Sequence, residues 1–276
     1  MQIHRIAAFT ENGMGGNPAG VVLAGTLPSS TEMQSIAAEV GYSETAFAAL
    51  SGESWTTRYF SPESEVPFCG HATIALGAVL AAEIGDGHYR LSLRTGEIEV
   101  EARMQNGTGH ATLRSLPTRS EAASETLTND TLHLFGYVRA DLDQSLPVMR
   151  MNAGAEHLFL ALNSRAQLAR MQYDLDAGRS FMQKHGLVTI TLAYRENDRL
   201  FHARNAFASG GVLEDPATGA AAAALAGMLR DQGLVSPGGL TILQGVDMGR
   251  PSRIAVRFDD VKGNPVFVSG DAAKIV

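Results

Sequence analysis

The chain has 276 residues, 45% of them hydrophobic and 18% charged, with 22 Lys and Arg against 29 Asp and Glu for a net charge of −7. That balance is ordinary for a globular protein, and the length suits one large or two medium domains. The acidic excess without any Lys/Arg run argues against a nucleic-acid partner, and the longest apolar stretch, Ala220 to Leu229, is too short to span a bilayer.

Taken in chain order, strand signals dominate. Met1-Gln2-Ile3-His4-Arg5-Ile6 reads as a strand start and not a signal peptide. Strands are predicted over 3–9, 19–24, 45–50, 55–60, 89–93, 97–103, 110–114, 148–152, 157–162, 188–194, 200–204 and 253–258. Glu97-Ile98-Glu99-Val100-Glu101-Ala102-Arg103 and Arg253-Ile254-Ala255-Val256-Arg257-Phe258 alternate strictly, as half-buried antiparallel strands do. The 89–93 strand is expected to pair with 97–103 across Thr95-Gly96. Peripheral helices are expected from a Thr31 cap through Val40, stopped by Gly41, and over 129–135, 164–171 and 174–185. Polar and Pro-containing sequence at 117–124 suggests a domain boundary there.

One kind of segment occurs twice. Pro67-Phe68-Cys69-Gly70-His71-Ala72-Thr73 opens into an apolar run ending at Ala82, and Glu214-Asp215-Pro216-Ala217-Thr218-Gly219 opens into another running from Ala220 to Leu229. A helix without a polar face must be buried all round, yet its first N–H groups still need partners. Two such helix starts suggest a small anionic ligand.

The nearby titratable groups are therefore the candidate site. Glu44, before an apolar strand, is either a solvated strand-end residue or a general acid/base with its pKa raised by burial. His71 at the first helix start can donate to a carboxylate or enolate, or exchange a proton with it. Asp215 before the second helix either complements the helix dipole or orients substrate or the His71 ring. Cys69 sits where a thiol pKa is lowered, but two-thiol racemisation needs a second cysteine and the chain has one; Cys69 is read as lining the pocket. That single cysteine also forbids an internal disulfide, rules out a multi-cysteine metal site and fits a reducing cytoplasm. Asn17, in Gly15-Gly16-Asn17-Pro18-Ala19-Gly20, either bonds substrate or fixes its turn; the loop lacks the phosphate-loop Lys and the dinucleotide spacing. No His pair has metal-ligand spacing, so neither a metal nor a cofactor is expected.

Together these motifs resemble the PhzF-like family, named for the phenazine-biosynthesis isomerase, which shares the diaminopimelate epimerase fold. The resemblance is carried by Gly16-Asn17-Pro18-Ala19, Ser43-Glu44-Thr45-Ala46-Phe47, Arg58-Tyr59-Phe60-Ser61-Pro62, Glu65 through Thr73, and Glu214 through Gly219. It implies an α+β protein of two pseudo-symmetric domains, each a curled, mostly antiparallel sheet around a central apolar helix. The domains are expected at 1–117 plus about 265–276, and at 118–264, with substrate in the cleft between them. It further implies a proton shuttle at Glu44 assisted by His71 and Asp215, and a possible homodimer. Substrate contacts are expected from Asn17, Cys69, Gly70, Thr218, Gly219 and Ala220. One departure stands out: Ala220 occupies a position that is Ser in the phenazine isomerase, which keeps the backbone N–H and loses the hydroxyl. The resulting expectation is a cofactor-independent isomerase or epimerase of a small carboxylate, located in the cytoplasm; the alternative is a non-catalytic carboxylate binder of the same fold.

Overall fold

The computed structural model describes residues 1–275 and divides into two compact units, Met1–Arg114 with Ser269–Val276, and Ser115–Val268. The first unit contains β1 (His4–Thr10), β2 (Asn17–Ala24), α1 (Ser30–Val40), β3 (Glu44–Ser51), β4 (Ser54–Phe60), β5 (Glu65–Val66), α2 (Gly70–Glu83), β6 (Gly87–Leu93), β7 (Gly96–Gln105) and β8 (Thr108–Arg114). The second contains β9 (Arg119–Ala122), α3 (Glu125–Phe135), β10 (Met149–Asn152), β11 (Glu156–Ala161), α4 (Arg165–Ala169), α5 (Leu175–His185), β12 (Thr189–Asn197), β13 (Leu200–Ala206), β14 (Glu214–Asp215), α6 (Gly219–Asp231), β15 (Gly238–Gln244) and β16 (Ser252–Phe258). Then β17 (Phe267–Lys274) returns most of its length to the first unit.

In the first unit the strands close on themselves. β1 pairs with β2, β2 with β3, β3 with β4, β4 with β6, β6 with β7 and β7 with β8. β8 pairs with β17, and β17 pairs with β1 through Ala8↔Ala272. Most of these pairs are antiparallel; β2–β3 and β4–β6 are parallel. Helix α2 lies within this ring, packed on β1, β2, β3, β7 and β8, and every residue from His71 to Ala81 is buried. Burial all round is the outcome that its unbroken apolar sequence demands.

The second unit repeats the pattern. β10–β11 are antiparallel, β11–β12 parallel, β12–β13 antiparallel, β13–β15 parallel and β15–β16 antiparallel. β9 adds to β10, and α6 packs on β9, β10, β11 and β16. The two-residue strands β5 and β14 hang from the ends of β4 and β13 in equivalent places. The fold is thus α+β, two pseudo-symmetric curled sheets, each around one apolar helix.

Amphipathic helices cover the outer faces. α1 packs Met33 and Ala37 against Val22, Phe47 and Phe60. Leu127, Leu132, Phe135, Leu168 and Met182, from α3, α4 and α5, join a core with Leu158, Ile190 and Leu192. Two helix starts differ from the reading above. The α1 cap is Ser29, not Thr31, because Ser29 and Glu32 form a reciprocal capping box. α3 begins at Glu125, four residues earlier than predicted, because Ser124 caps it through Leu127 N.

The central helices approach their strands closely. A Cβ on Gly109 would lie 2.5 Å from the Ala78 Cβ, and one on Gly227 would lie 2.5 Å from Thr118. Gly109→Ala is expected to cost roughly 1–3 kcal/mol by overpacking. Gly25→Ala, with nothing within 4 Å of the added methyl, is the near-neutral control, both read by chemical denaturation. A second prediction concerns acid. His157 is fully buried, donates or accepts at Nδ1 to Thr189 Oγ1 at 2.7 Å, and is pushed down to about 4 by that burial. The unfolded imidazole titrates near 6.5, so the unfolded state takes the proton first. Stability is therefore full above about pH 6.5 and falls as pH drops toward 4, by at most roughly 3 kcal/mol. His157→Gln should flatten that part of the melting-temperature profile.

Candidate functional site

The first-unit site is assembled at the start of α2. Glu44 is the first residue of β3, paired in register with Ala19 of β2, and its side chain is only 14% exposed. Cys69 occupies the helix cap position in an extended conformation, and its side chain makes no capping hydrogen bond. His71 follows two residues later, with a buried ring. The ring is flanked on both nitrogens. Nε2 lies 3.4 Å from Glu44 Oε2 and 3.4 Å from Ser43 Oγ, while Nδ1 lies 3.3 Å from Cys69 Sγ. This suits a neutral imidazole that donates from Nε2 and accepts the thiol proton at Nδ1. The carboxylate contact is longer than an ideal hydrogen bond, as proton-transfer contacts often are without substrate.

Behind the helix start stands a buried brace. Thr73 Oγ1 donates to the Cys69 carbonyl at 2.7 Å and meets Tyr59 OH at 2.7 Å. Burial raises the Tyr59 hydroxyl pKa strongly, so it stays protonated as a fixed donor or acceptor. Asn17 is buried at the first position of β2 opposite Ala8. Gly16 before it has φ +76°, and a Cβ there would sit 2.7 Å from the Ala8 carbonyl oxygen, so only glycine fits that turn.

The second-unit counterpart lies at the start of α6. Asp215 is buried, and Thr218 Oγ1 donates to its Oδ2 in a short hydrogen bond. Thr218 Oγ1 also accepts from Asn205 Nδ2 at 2.6 Å and from Gln244 Nε2 at 3.1 Å. Gln244 Nε2 further donates to the Asp215 carbonyl at 2.7 Å, and Thr191 Oγ1 donates to Asn205 Oδ1 at 2.7 Å. The Thr218 hydroxyl is thus fully used in holding Asp215. Gly219 and Ala220 open the helix, and the Thr218 side chain does not cap it.

Both corners share a device that the sequence reading did not assign. Arg58 grips Glu65 through Nε at 2.8 Å and Nη2 at 2.6 Å, fastening β5 to β4. The Arg58 guanidinium holds the Glu65 carboxyl below its ordinary range. Arg204 grips Glu214 in the same two-pronged way, with Nη2 at 2.6 Å, and donates from Nη1 to the carbonyls of Ala169 and Met171. The signal was present as an Arg followed seven or ten residues later by a Glu ahead of each central helix. Ser43 and Tyr59 lay in the motifs of the family resemblance without an assigned role, and Asn205 and Gln244 carried no such signal, since each is an ordinary strand residue until the fold brings it in.

The family model described as phenazine biosynthesis-like protein, PhzC-PhzF, matches residues 6–276. The chain belongs to the PhzC-PhzF family. Among relatives, trans-2,3-dihydro-3-hydroxyanthranilate isomerase of Pseudomonas chlororaphis is 32% identical over 257 residues, covering 91% of this chain and 88% of that protein. An uncharacterized isomerase of Deinococcus radiodurans is 32% identical over 273 residues, covering 95% and 87%. The crystal structure of a PhzF-family phenazine biosynthesis protein from Bacillus anthracis superposes with a TM-score of 0.88 over 100% of this chain and 98% of that one, at 22% identity, which establishes the shared fold. The family is one whose named relatives are isomerases.

The two Arg–Glu pairs differ in burial, at 12% and 5% side-chain exposure for Arg204 and Glu214 against 18% and 22% for Arg58 and Glu65. Removing one partner of a buried pair strands the other charge, at roughly 3–5 kcal/mol. Arg204→Met should therefore destabilise by that order in urea titration, and Arg58→Met by less.

Proposed function

We propose that this PhzC-PhzF protein is a cofactor-independent isomerase or epimerase that moves a proton on a small carboxylated metabolite. The observation that carries the reading is the Glu44 carboxylate at 3.4 Å from His71 Nε2, at the start of α2. A part-buried carboxylate next to an imidazole is a competent general base, and a helix N-terminus is a competent carboxylate receptor. In this reading the substrate carboxylate accepts from N–H groups at Gly70 and His71. Glu44 takes a proton from the adjacent carbon, and His71 Nε2–H donates to the charge that develops on substrate oxygen. The proton on Glu44 exchanges with solvent while the intermediate persists, and Glu44 returns a proton to another carbon, or to the opposite face of the same one, so the substrate is rearranged without net gain or loss. Asp215, held rigid by Thr218 and Gln244, orients a substrate amine or hydroxyl, and Gly219 and Ala220 offer a second set of helix-start N–H groups. Asn17 and Cys69 line the pocket. A trans-2,3-dihydro-3-hydroxyanthranilate-like substrate is suggested by the Pseudomonas chlororaphis relative. The family resemblance also suggests a cytoplasmic homodimer.

A second reading, a binder of small carboxylates without turnover, is favoured by one observation. Ala220 has no hydroxyl, so a proton relay through that position is lost while the backbone receptor remains.

Proton exchange in heavy water separates the two. The protein is incubated with trans-2,3-dihydro-3-hydroxyanthranilate and a panel of small amino and hydroxy acids, and carbon-bound deuterium is read by mass spectrometry. Uptake is expected, falling at least about 100-fold in Glu44→Gln, with losses also in His71→Ala and Asp215→Ala. Retained uptake in Glu44→Gln would remove Glu44 from the role. Ligands that raise the melting temperature without any uptake would establish the binder.

A further inference from the structure

We propose that Cys69, His71 and Glu44 together form a binding site for a thiophilic divalent cation, zinc above all, and that the bound ion shuts the proton-transfer site. The spacing of His residues along the chain gave no hint of this, because the fold and not the sequence brings the three donors together. One donor atom from each residue lies within 4.8 Å of the other two. Measured from a single ring nitrogen, His71 Nε2 is 3.4 Å from Glu44 Oε2 and 3.9 Å from Cys69 Sγ. Tetrahedral zinc with ordinary Zn–S, Zn–N and Zn–O bonds sets its ligands about 3.3–3.6 Å apart. The two separations from Nε2 reach that figure by side-chain movements of a few tenths of an ångström, and the third, between Glu44 and Cys69, lies within 4.8 Å. Thiolate, imidazole and carboxylate form a set that favours zinc over magnesium or calcium, which prefer oxygen alone. Three protein ligands leave the fourth position to water, the arrangement of an accessible site.

The other imidazole–carboxylate pairs among the described residues lack a thiol donor. His110 with Asp271 and His202 with Glu196 have no thiol, since Cys69 is the sole cysteine. Binding at the α2 corner displaces the thiol proton to solvent, shifts the imidazole proton from Nε2 to Nδ1, and draws the lone pairs of Nε2 and Oε2 onto the metal. Glu44 can then neither accept nor return a proton. The binding claim stands on geometry alone; the shut-off claim rests on Glu44 acting as the acid/base.

The test begins with cobalt(II) titration of the wild-type protein, which needs no variant. One equivalent is expected to give a thiolate-to-cobalt charge-transfer band in the near ultraviolet together with the intense visible bands of four-coordinate cobalt, and zinc is expected to displace both. Cys69→Ser should remove the charge-transfer band, and Cys69→Ser, His71→Ala and Glu44→Gln should each weaken zinc binding by about tenfold or more. Zinc should also slow alkylation of the sole cysteine by iodoacetamide at least tenfold, where magnesium does not. A folded wild-type protein that gives no thiolate–cobalt band overturns the site. A bound, thiolate-ligated metal that leaves deuterium exchange unchanged overturns the shut-off. Absence of exchange before any metal is added, with the cobalt band present, speaks against the isomerase reading and leaves the metal site standing.

Discussion

Everything in this molecule depends on burying two helices that have no polar side. An apolar helix cannot be left on a surface, and a flat sheet covers only one of its faces. The first unit answers by bending its strands until they meet, so that α2 is enclosed. The second unit packs strands around α6 in the same order of parallel and antiparallel pairs. Enclosure satisfies the sides of such a helix and leaves its start unresolved, because the leading N–H groups have no partner within the helix. The chemistry collects where that deficit lies.

The corner must also be rigid, since a receptor that reorganises loses much of its electrostatic advantage. Here the two halves use one solution. A two-residue strand is fastened to the end of a longer one, and a two-pronged Arg–Glu pair locks it. Counting from Gly70 and Gly219, Cys69 corresponds to Thr218 and His71 to Ala220. The scaffold is duplicated while the functional groups are not. The first corner holds a carboxylate and a thiol on either side of an imidazole, and the second holds one carboxylate fixed by hydroxyl and amide groups.

Much of the fold was legible because its signals are local. Strict alternation marked β7 and β16, and unbroken apolarity marked α2 and α6 as buried. Gly41 ended α1 as expected, with the left-handed backbone that glycine tolerates. The misplaced starts of α1 and α3 have a common cause: several Ser and Thr residues stand near each start, and only side-chain geometry selects the cap. Glu44, His71 and Asp215 stood out through their neighbours in sequence. Gln244 and Asn205 did not, because their importance lies in hydrogen bonds to a turn distant in the chain. Short strands such as β5 and β14 carry too little pattern to read, and tertiary ion pairing makes them.

The placement of β17 bears on how the chain is made. Its residues from Ser269 onward lie between β1 and β8 and complete the ring about α2. The second unit is continuous from Ser115 to Val268 and leaves the ribosome whole before those residues do. Vectorial synthesis therefore reverses the usual N-terminal-first order. The first unit waits with an open seam, its strand edges at β1 and β8 unpaired, until the last segment threads into place. Until it does, α2 is only partly sheltered, and the edges of β1 and β8 are the ones left open to pairing.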